Sequence, residues 1–193
     1  MKLLRLALLA SLFPGVAFAA PVFLPTRDVV VTYELATSGR SPANYTLHYN
    51  AVDQRARVES PSGYYILANL PAGKAQVVVP ALHAVVQAPD FSDITSEIYN
   101  ADGATFTPQG SGEYAGLSCE KYLIRDKHGT GTACITSTGV ILHFSGHDTH
   151  GSAEVTALSV TYAPQPAASF APPQDFSEVT LPAGTLAALL APK

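Results

Sequence analysis

About ten short runs of β-branched, aromatic and other apolar residues follow one another along the chain, each four to ten residues long and each ended by turn-forming residues such as Gly, Pro, Asn or Asp. Runs of that length are the size of strands, and the breakers between them carry hairpin chemistry. They cover residues 28–35, 44–52, 55–59, 64–70, 76–79, 84–87, 117–125, 132–136, 140–144 and 153–162. Within 44–52, Tyr45, Leu47, Tyr49 and Ala51 fall on one face and Thr46, His48 and Asn50 on the other. Within 55–59, Ala56 and Val58 point inward while Arg55, Arg57 and Glu59 face water. The short breaks predict a meander of successive antiparallel strands.

Three stretches depart from this rhythm. In 90–99, Phe91, Ile94, Ile98 and Tyr99 recur at helical spacing behind the capping residues Asp90 and Ser92, which predicts one short amphipathic helix. Residues 100–112, rich in Gly, Ser and Pro, read as a loop. Residues 163–173 are proline-rich and read as an extended segment along a sheet edge, and 183–193 as a tail in which Thr185 caps a small helix or which frays.

Tyr64-Tyr65-Ile66-Leu67 and Val77-Val78-Val79 are apolar on both faces, so both sides of those strands need cover. At ~25 cal/mol per Å² of apolar area, a single exposed cluster of this kind would drive association by several kcal/mol. The fold class that answers this demand is mainly β: a single curved antiparallel sheet, a half-open barrel, with one short lid helix and an extended C-terminal tail. Its concave side is filled by its own side chains, by the 90–99 helix or by a bound apolar ligand.

The N-terminus reads as an export leader. Lys2 and Arg5 precede an apolar stretch, 6–16, and Ala17-Phe18-Ala19 has the small-x-small form of a cleavage site, which places cleavage after Ala19. The apolar stretch is too short to span a membrane. The organisation expected is therefore a leader, 1–19, one β half-barrel domain, 20–182, and a tail, 183–193, in a periplasmic or secreted protein. Without the leader the chain carries 9 basic and 15 acidic residues, a net charge of −6 with no basic cluster, which argues against nucleic acid and against more than peripheral contact with anionic membranes. Charged residues are only 13% of the sequence against 47% hydrophobic ones, which favours a greasy face or interior.

The two cysteines, Cys119 and Cys134, sit either side of the turn-like Lys127-His128-Gly129-Thr130-Gly131. That placement predicts a cross-linked hairpin, and an oxidising compartment would let the bridge persist. Closing a loop of about 15 residues contributes ~3 kcal/mol by restricting the unfolded chain. A structural role is expected, because catalytic pairs stand closer, as in Cys-x-x-Cys.

Tyr114-Ala115-Gly116-Leu117-Ser118-Cys119-Glu120-Lys121-Tyr122, followed by Gly131-Thr132-Ala133-Cys134-Ile135-Thr136-Ser137-Thr138-Gly139-Val140, resembles exported bacterial proteins related to the LolA-like lipoprotein carriers, in which an Ala-Gly-x-x-Cys strand precedes a Cys-x-Thr-x-x-Gly-Val strand. Phe170-Ala171-Pro172-Pro173-Gln174-Asp175-Phe176 resembles their closing segment, and 29–35 their opening strand. The resemblance spans most of the chain and implies a half-open antiparallel barrel with a helical lid over an apolar concavity that in the carriers suits acyl chains.

Enzyme signatures are missing: there is no G-x-S-x-G elbow and no P-loop, and Cys134 stands where a third glycine would follow Gly129-Thr130-Gly131. His143, His147 and His150 lie within eight residues and, with Asp148, have the chemistry to gather a zinc or copper ion, but 146–151 reads as a turn in which they need not converge. The expectation is a non-enzymatic binding protein without a cofactor, carrying or sensing an apolar small molecule, an acyl chain or an acylated polypeptide. Val31, Tyr33, Leu35, Tyr45, Leu47, Tyr49, Ile66 and Leu67 would line the concavity under a lid of Phe91, Ile94 and Ile98. A protein-interaction module in envelope assembly or stress sensing is the alternative, and a metal protein built on the histidine-rich turn a second.

Overall fold

The computed structural model describes residues 21–88, 104–126, 129–148 and 151–180. They form twelve strands: β1 (Val29–Thr37), β2 (Ala43–Asn50), β3 (Arg55–Glu59), β4 (Tyr65–Asn69), β5 (Lys74–Val79), β6 (Ala84–Ala88), β7 (Thr105–Tyr114), β8 (Leu117–Arg125), β9 (Gly129–Ile135), β10 (Ile141–Asp148), β11 (Gly151–Thr161) and β12 (Ser177–Thr180). All belong to one sheet in the order β12-β6-β5-β4-β3-β2-β1-β11-β10-β9-β8-β7, whose outermost strands do not pair with each other. The architecture is the open, curved and almost wholly antiparallel sheet that the strand pattern predicted. The leader, the 90–99 helix with Phe91, Ile94 and Ile98, His128, His150 and the 183–193 tail lie outside the described residues.

Three expectations about whole segments are corrected. Residues 105–112 are not loop but most of β7, which pairs with β8 from Thr105↔Arg125 to Tyr114↔Leu117. An edge strand buries little, so the polar run Thr-Phe-Thr-Pro-Gln-Gly-Ser-Gly-Glu-Tyr lacks the apolar alternation of a buried one, and its Pro108 sits at an irregularity between Pro108 and Gly110. The turn expected at 146–151 is shorter, because β10 and β11 stay paired through His147↔Ser152 to Asp148↔Gly151. The segment 163–173 does not follow an edge: it crosses one face of the sheet and contains a 3-10 turn, Ala167–Phe170.

The registers divide the sheet into two faces, since residues directly opposite on neighbouring strands point the same way. Val31↔Leu47, Leu47↔Val58, Val58↔Ile66 and Ile66↔Val77 put the apolar alternation of five strands on one side, the core face. It holds most of the main buried cluster, in which Val29, Val31 and Leu142 are 0% exposed. His48↔Arg57, Arg57↔Leu67, Leu67↔Gln76 and Gln76↔Gln87 define the other side.

That second side is covered by the segment after β11, here called the strap. The Gln165 amide N–H donates to Asp28 Oδ2 (2.7 Å), its carbonyl accepts from Asn50 Nδ2 (2.9 Å), and its side chain meets His48 Nδ1 (3.2 Å). Further along, Arg57 reaches the Ser169 carbonyl while its guanidinium lies over Tyr65 and pairs with Glu59. Phe170 is buried, and Phe176, like Tyr65, packs against the cluster of Leu67, Val78 and Val85. The demand for cover on both faces of 64–67 and 77–79 is thus met by the core on one side and the strap on the other. Having crossed the sheet, the strap ends in β12, which pairs with β6 in parallel, the one non-antiparallel pairing among the described strands. Arg57, expected to face water, is instead held under the strap.

The predicted bridge is present: Cys119 on β8 and Cys134 on β9 are joined, with Cα atoms 5.3 Å apart. Both cysteines are buried within the main cluster, so the bridge fixes the β8–β9 hairpin inside the core.

Candidate functional site

The core face carries a hollow of about 570 Å³ at the end of the sheet where β1 leaves, β8 turns into β9 and β10 turns into β11. Its floor is one rung of the ladder: Thr37↔Ala153, Ala153↔Gly146, Gly146↔Gly131 and Gly131↔Ile124 run across five adjacent strands. Three of those five residues are Gly or Ala, so the rung has almost no side-chain height and space remains above it. Phe144 lies beside this floor. A Cβ on Gly146 would stand 2.7 Å from its ring and one on Gly131 3.1 Å from it. The two glycines are therefore what lets the ring lie against the backbone and form an apolar wall with Ile124.

Turns hold the rim. Ser38 and Ser152 lock the β1–β2 turn to the start of β11 through a hydroxyl–hydroxyl contact of 2.8 Å, the Ser152 N–H donating to Ser38 Oγ (3.0 Å) and the Ser38 N–H to the Ser152 carbonyl (3.1 Å). Asp126 Oδ1 accepts from the Gly129 N–H (2.8 Å), and Thr130 Oγ1 donates to the Ile124 carbonyl (3.1 Å). Arg40, Asp126 and His147 give the rim its polar groups. Nearby, burial pushes the Tyr45 hydroxyl up, Tyr64 adds to the rise, and the Arg40 charge works against it. An apolar floor under a mixed polar rim can hold an apolar body and leave a polar end in water.

The residues expected to line a concavity are placed as follows. Val31, Tyr33, Leu35, Tyr45, Leu47, Tyr49 and Ile66 share the core face, whereas Leu67 points to the strap side and packs with Phe176. Val31 and Tyr49 are closed into the main cluster at 0% and 2% exposure. Tyr33 donates its hydroxyl to the Ile141 carbonyl (2.9 Å), and burial, then Tyr162, hold that hydroxyl well above its ordinary pKa. Leu35 stands nearest the hollow: it pairs with Val155, which pairs with Phe144, on a rung close to the floor.

The hollow itself is lined by residues the strand patterning did not single out. The strand runs read at 132–136 and 140–144 stopped short of both glycines, which read as turn residues but lie inside β9 and β10, where a glycine marks close approach of another group. Of the histidines, His143 is stacked on Tyr114 at 4.7 Å between centroids and meets Glu154 at 3.0 Å, while His147 is on the rim of the hollow. Among the described residues no three His, Cys, Asp or Glu side chains are grouped to hold a metal ion.

No protein-family model and no curated protein sequence matches the chain. Solved structures match in fold. An uncharacterized conserved protein from Thermus thermophilus superposes with a TM-score of 0.59 at 12% identity over 81% of this chain and 91% of its own. A chain of the Pseudomonas aeruginosa MucA/MucB complex does so at 0.56 and 13% identity, over 81% of this chain but only 59% of its own. The LolA superfamily protein NE2245 from Nitrosomonas europaea is also among the matches, with a TM-score of 0.41, 10% identity and coverage of 78% and 92%, too loose a superposition to carry weight. At these identities the likeness is one of fold. Among the described residues no helix is long and apolar enough to cross a membrane.

Proposed function

We propose that this chain is an exported, non-enzymatic binding protein that carries or senses an apolar ligand, with an acyl chain as the best-fitting class. The observation that carries the reading is the hollow of about 570 Å³ floored by Gly131, Gly146 and Ala153 beside Phe144, a volume within the roughly 300–1,000 Å³ range of small-molecule sites. The apolar chain would lie on that floor and continue toward Leu35, Tyr33 and Tyr45 on the same face, its polar end toward Arg40 and His147. Export rests on the leader read in 1–19 and fits the bridged cysteines.

The test is binding of a fluorescent long-chain acyl probe to the wild-type protein and to Ala153→Trp, which places an indole in the hollow. Saturable binding lost in the variant, with unfolding temperature unchanged, supports the reading. Equal binding by both proteins, or none by either, removes it.

A protein-interaction module is the second reading, favoured by the long outer edge of β7, Thr105–Tyr114, which pairs on one side only among the described residues, and by the fold likeness to a chain of a two-protein complex. Recovery of one stoichiometric protein partner without lipid from the native envelope would favour it over carriage.

A further inference from the structure

On the strap side, away from the hollow, a notch of about 120 Å³ opens between Phe170 and strands β3 to β5. Its walls are Arg55, Asn69, Lys74, Gln76 and the apolar Leu67. Arg55↔Asn69 and Asn69↔Lys74 form one rung, so the two cations start from strands either side of Asn69, roughly 10 Å apart at the backbone. Side chains of their length converge easily over that span.

The wall chemistry is one-sided. The sequence has 11 basic and 15 acidic residues, yet the notch gathers two of the former and none of the latter. Arg57, two positions along the same strand and on the same face, is fully engaged by Glu59, Tyr65 and the Ser169 carbonyl. Arg55 and Lys74, by contrast, have no ion-pair or hydrogen-bond partner for their side chains among the described residues, and neither does the half-buried Gln76 amide. Asn69 spends its Oδ1 on the Ala72 N–H (3.2 Å), which leaves its NH₂ as a donor. The notch therefore offers two positive charges and two carboxamide donors with no acid in its walls to compensate them, closed on one side by an aromatic ring.

We propose that this notch is an oxyanion site that takes a phosphate group, free or as a monoester, between Arg55 and Lys74. A guanidinium binds two oxygens of a tetrahedral oxyanion at once and the ammonium neutralises a second charge. The volume suits the guest: about 120 Å³ is well above the roughly 10–15 Å³ that one water needs, so the notch has room for several waters or for one phosphate that replaces them. Because Phe170 belongs to the strap, the bound anion would also tie the strap to β3 and β5. The site is separate from the hollow in face, lining and chemistry, and it stands or falls independently of the acyl-ligand reading.

The experiment is an NMR titration of the full-length protein with inorganic phosphate, and in a second arm with glycerol 3-phosphate, against sodium chloride at matched ionic strength. Saturable shifts confined to Arg55 Nε, the Gln76 amide and Phe170, with Kd raised at least tenfold in Arg55→Gln/Lys74→Gln, are expected. Tighter binding of the monoester would identify an esterified ligand as the source, and tighter binding of phosphate the free anion. Shifts that grow linearly without saturation, that spread over the surface, or that persist in a folded double variant would overturn the proposal. Arg57→Gln, which leaves both cations in place, is expected to keep phosphate binding within about threefold.

Discussion

Phe144 occupies space that two side chains would otherwise take, and that makes the glycines opposite each other on β9 and β10 the residues on which the hollow depends. Gly146→Val forces the ring off the backbone and into the hollow, with an expected cost of about 1–3 kcal/mol in denaturant unfolding and loss of acyl-probe binding. Gly139 and Gly110 form a second comparison. Both have positive φ, +85° and +100°, but a Cβ at Gly139 would enter the Leu24 backbone while one at Gly110 meets nothing within 4 Å. Gly110→Ala is expected to cost about 1 kcal/mol for the backbone alone, and Gly139→Ala about 3 kcal/mol or more because residues 22–24 must also move. Equal costs would mean that the N-terminal segment does not pack there. Tyr33 supplies a pH test. Burial first, and Tyr162 second, raise its hydroxyl above the ordinary 10, so the folded state holds that proton more tightly than the unfolded one. Its contribution is intact below pH 10 and drains away as pH climbs above 10. Tyr33→Phe is expected to lose about 1 kcal/mol at pH 7 with the hydrogen bond to Ile141, and to flatten part of the alkaline fall in urea-melt stability.

The strap is the element that the alternation of apolar residues could not place, because Pro-rich segments carry no periodicity and because the groups it docks on are polar. Asp28 receives the Ala51 N–H on one oxygen (2.8 Å) and the Gln165 N–H on the other (2.7 Å), joining the start of β1, the β2–β3 turn and the strap. Asp28→Ala is expected to cost about 2–3 kcal/mol, since hydrogen bonds to a charged acceptor are stronger than neutral ones, whereas Gln165→Ala, which keeps its backbone donor, should cost about 1 kcal/mol; chemical denaturation of the two variants checks the order. Strands with one buried and one polar side were legible: β2, β3 and β8 lie where the alternation put them, and Cys119 and Cys134 meet across the expected hairpin. Those that fail to bury a face were not. β7 looks like loop because Thr105 to Tyr114 sit mostly in water at an edge, and β12 is four exposed residues whose pairing depends on a crossing that no local pattern encodes. The hollow escaped for a related reason: hydrophobic patterning finds places where side chains are large, and this site exists because they are small.

At the scale of the whole molecule, an open sheet has two faces to cover and this chain covers them differently. The strap closes one with aromatic residues and hydrogen bonds; the core face closes over Val29, Val31 and Leu142 but leaves its far end hollow where the rung from Thr37 to Ile124 shrinks. The apolar composition that argued for a greasy interior thus resolves into a packed centre and an open-ended pocket, while two cations of this acidic chain gather in a notch on the opposite face. Reduction of the Cys119–Cys134 bridge is expected to cost ~3 kcal/mol and to loosen β8 and β9, two of the five strands of the floor, so acyl-probe affinity should fall with it. The most direct measurement of the central claim is mass spectrometry of lipid extracted from the protein after purification from its native cells, run beside Ala153→Trp. One acyl species near one per chain in the wild type and its absence from the equally folded variant is the result expected; no acyl species in either protein, or the same amount in both, would contradict it.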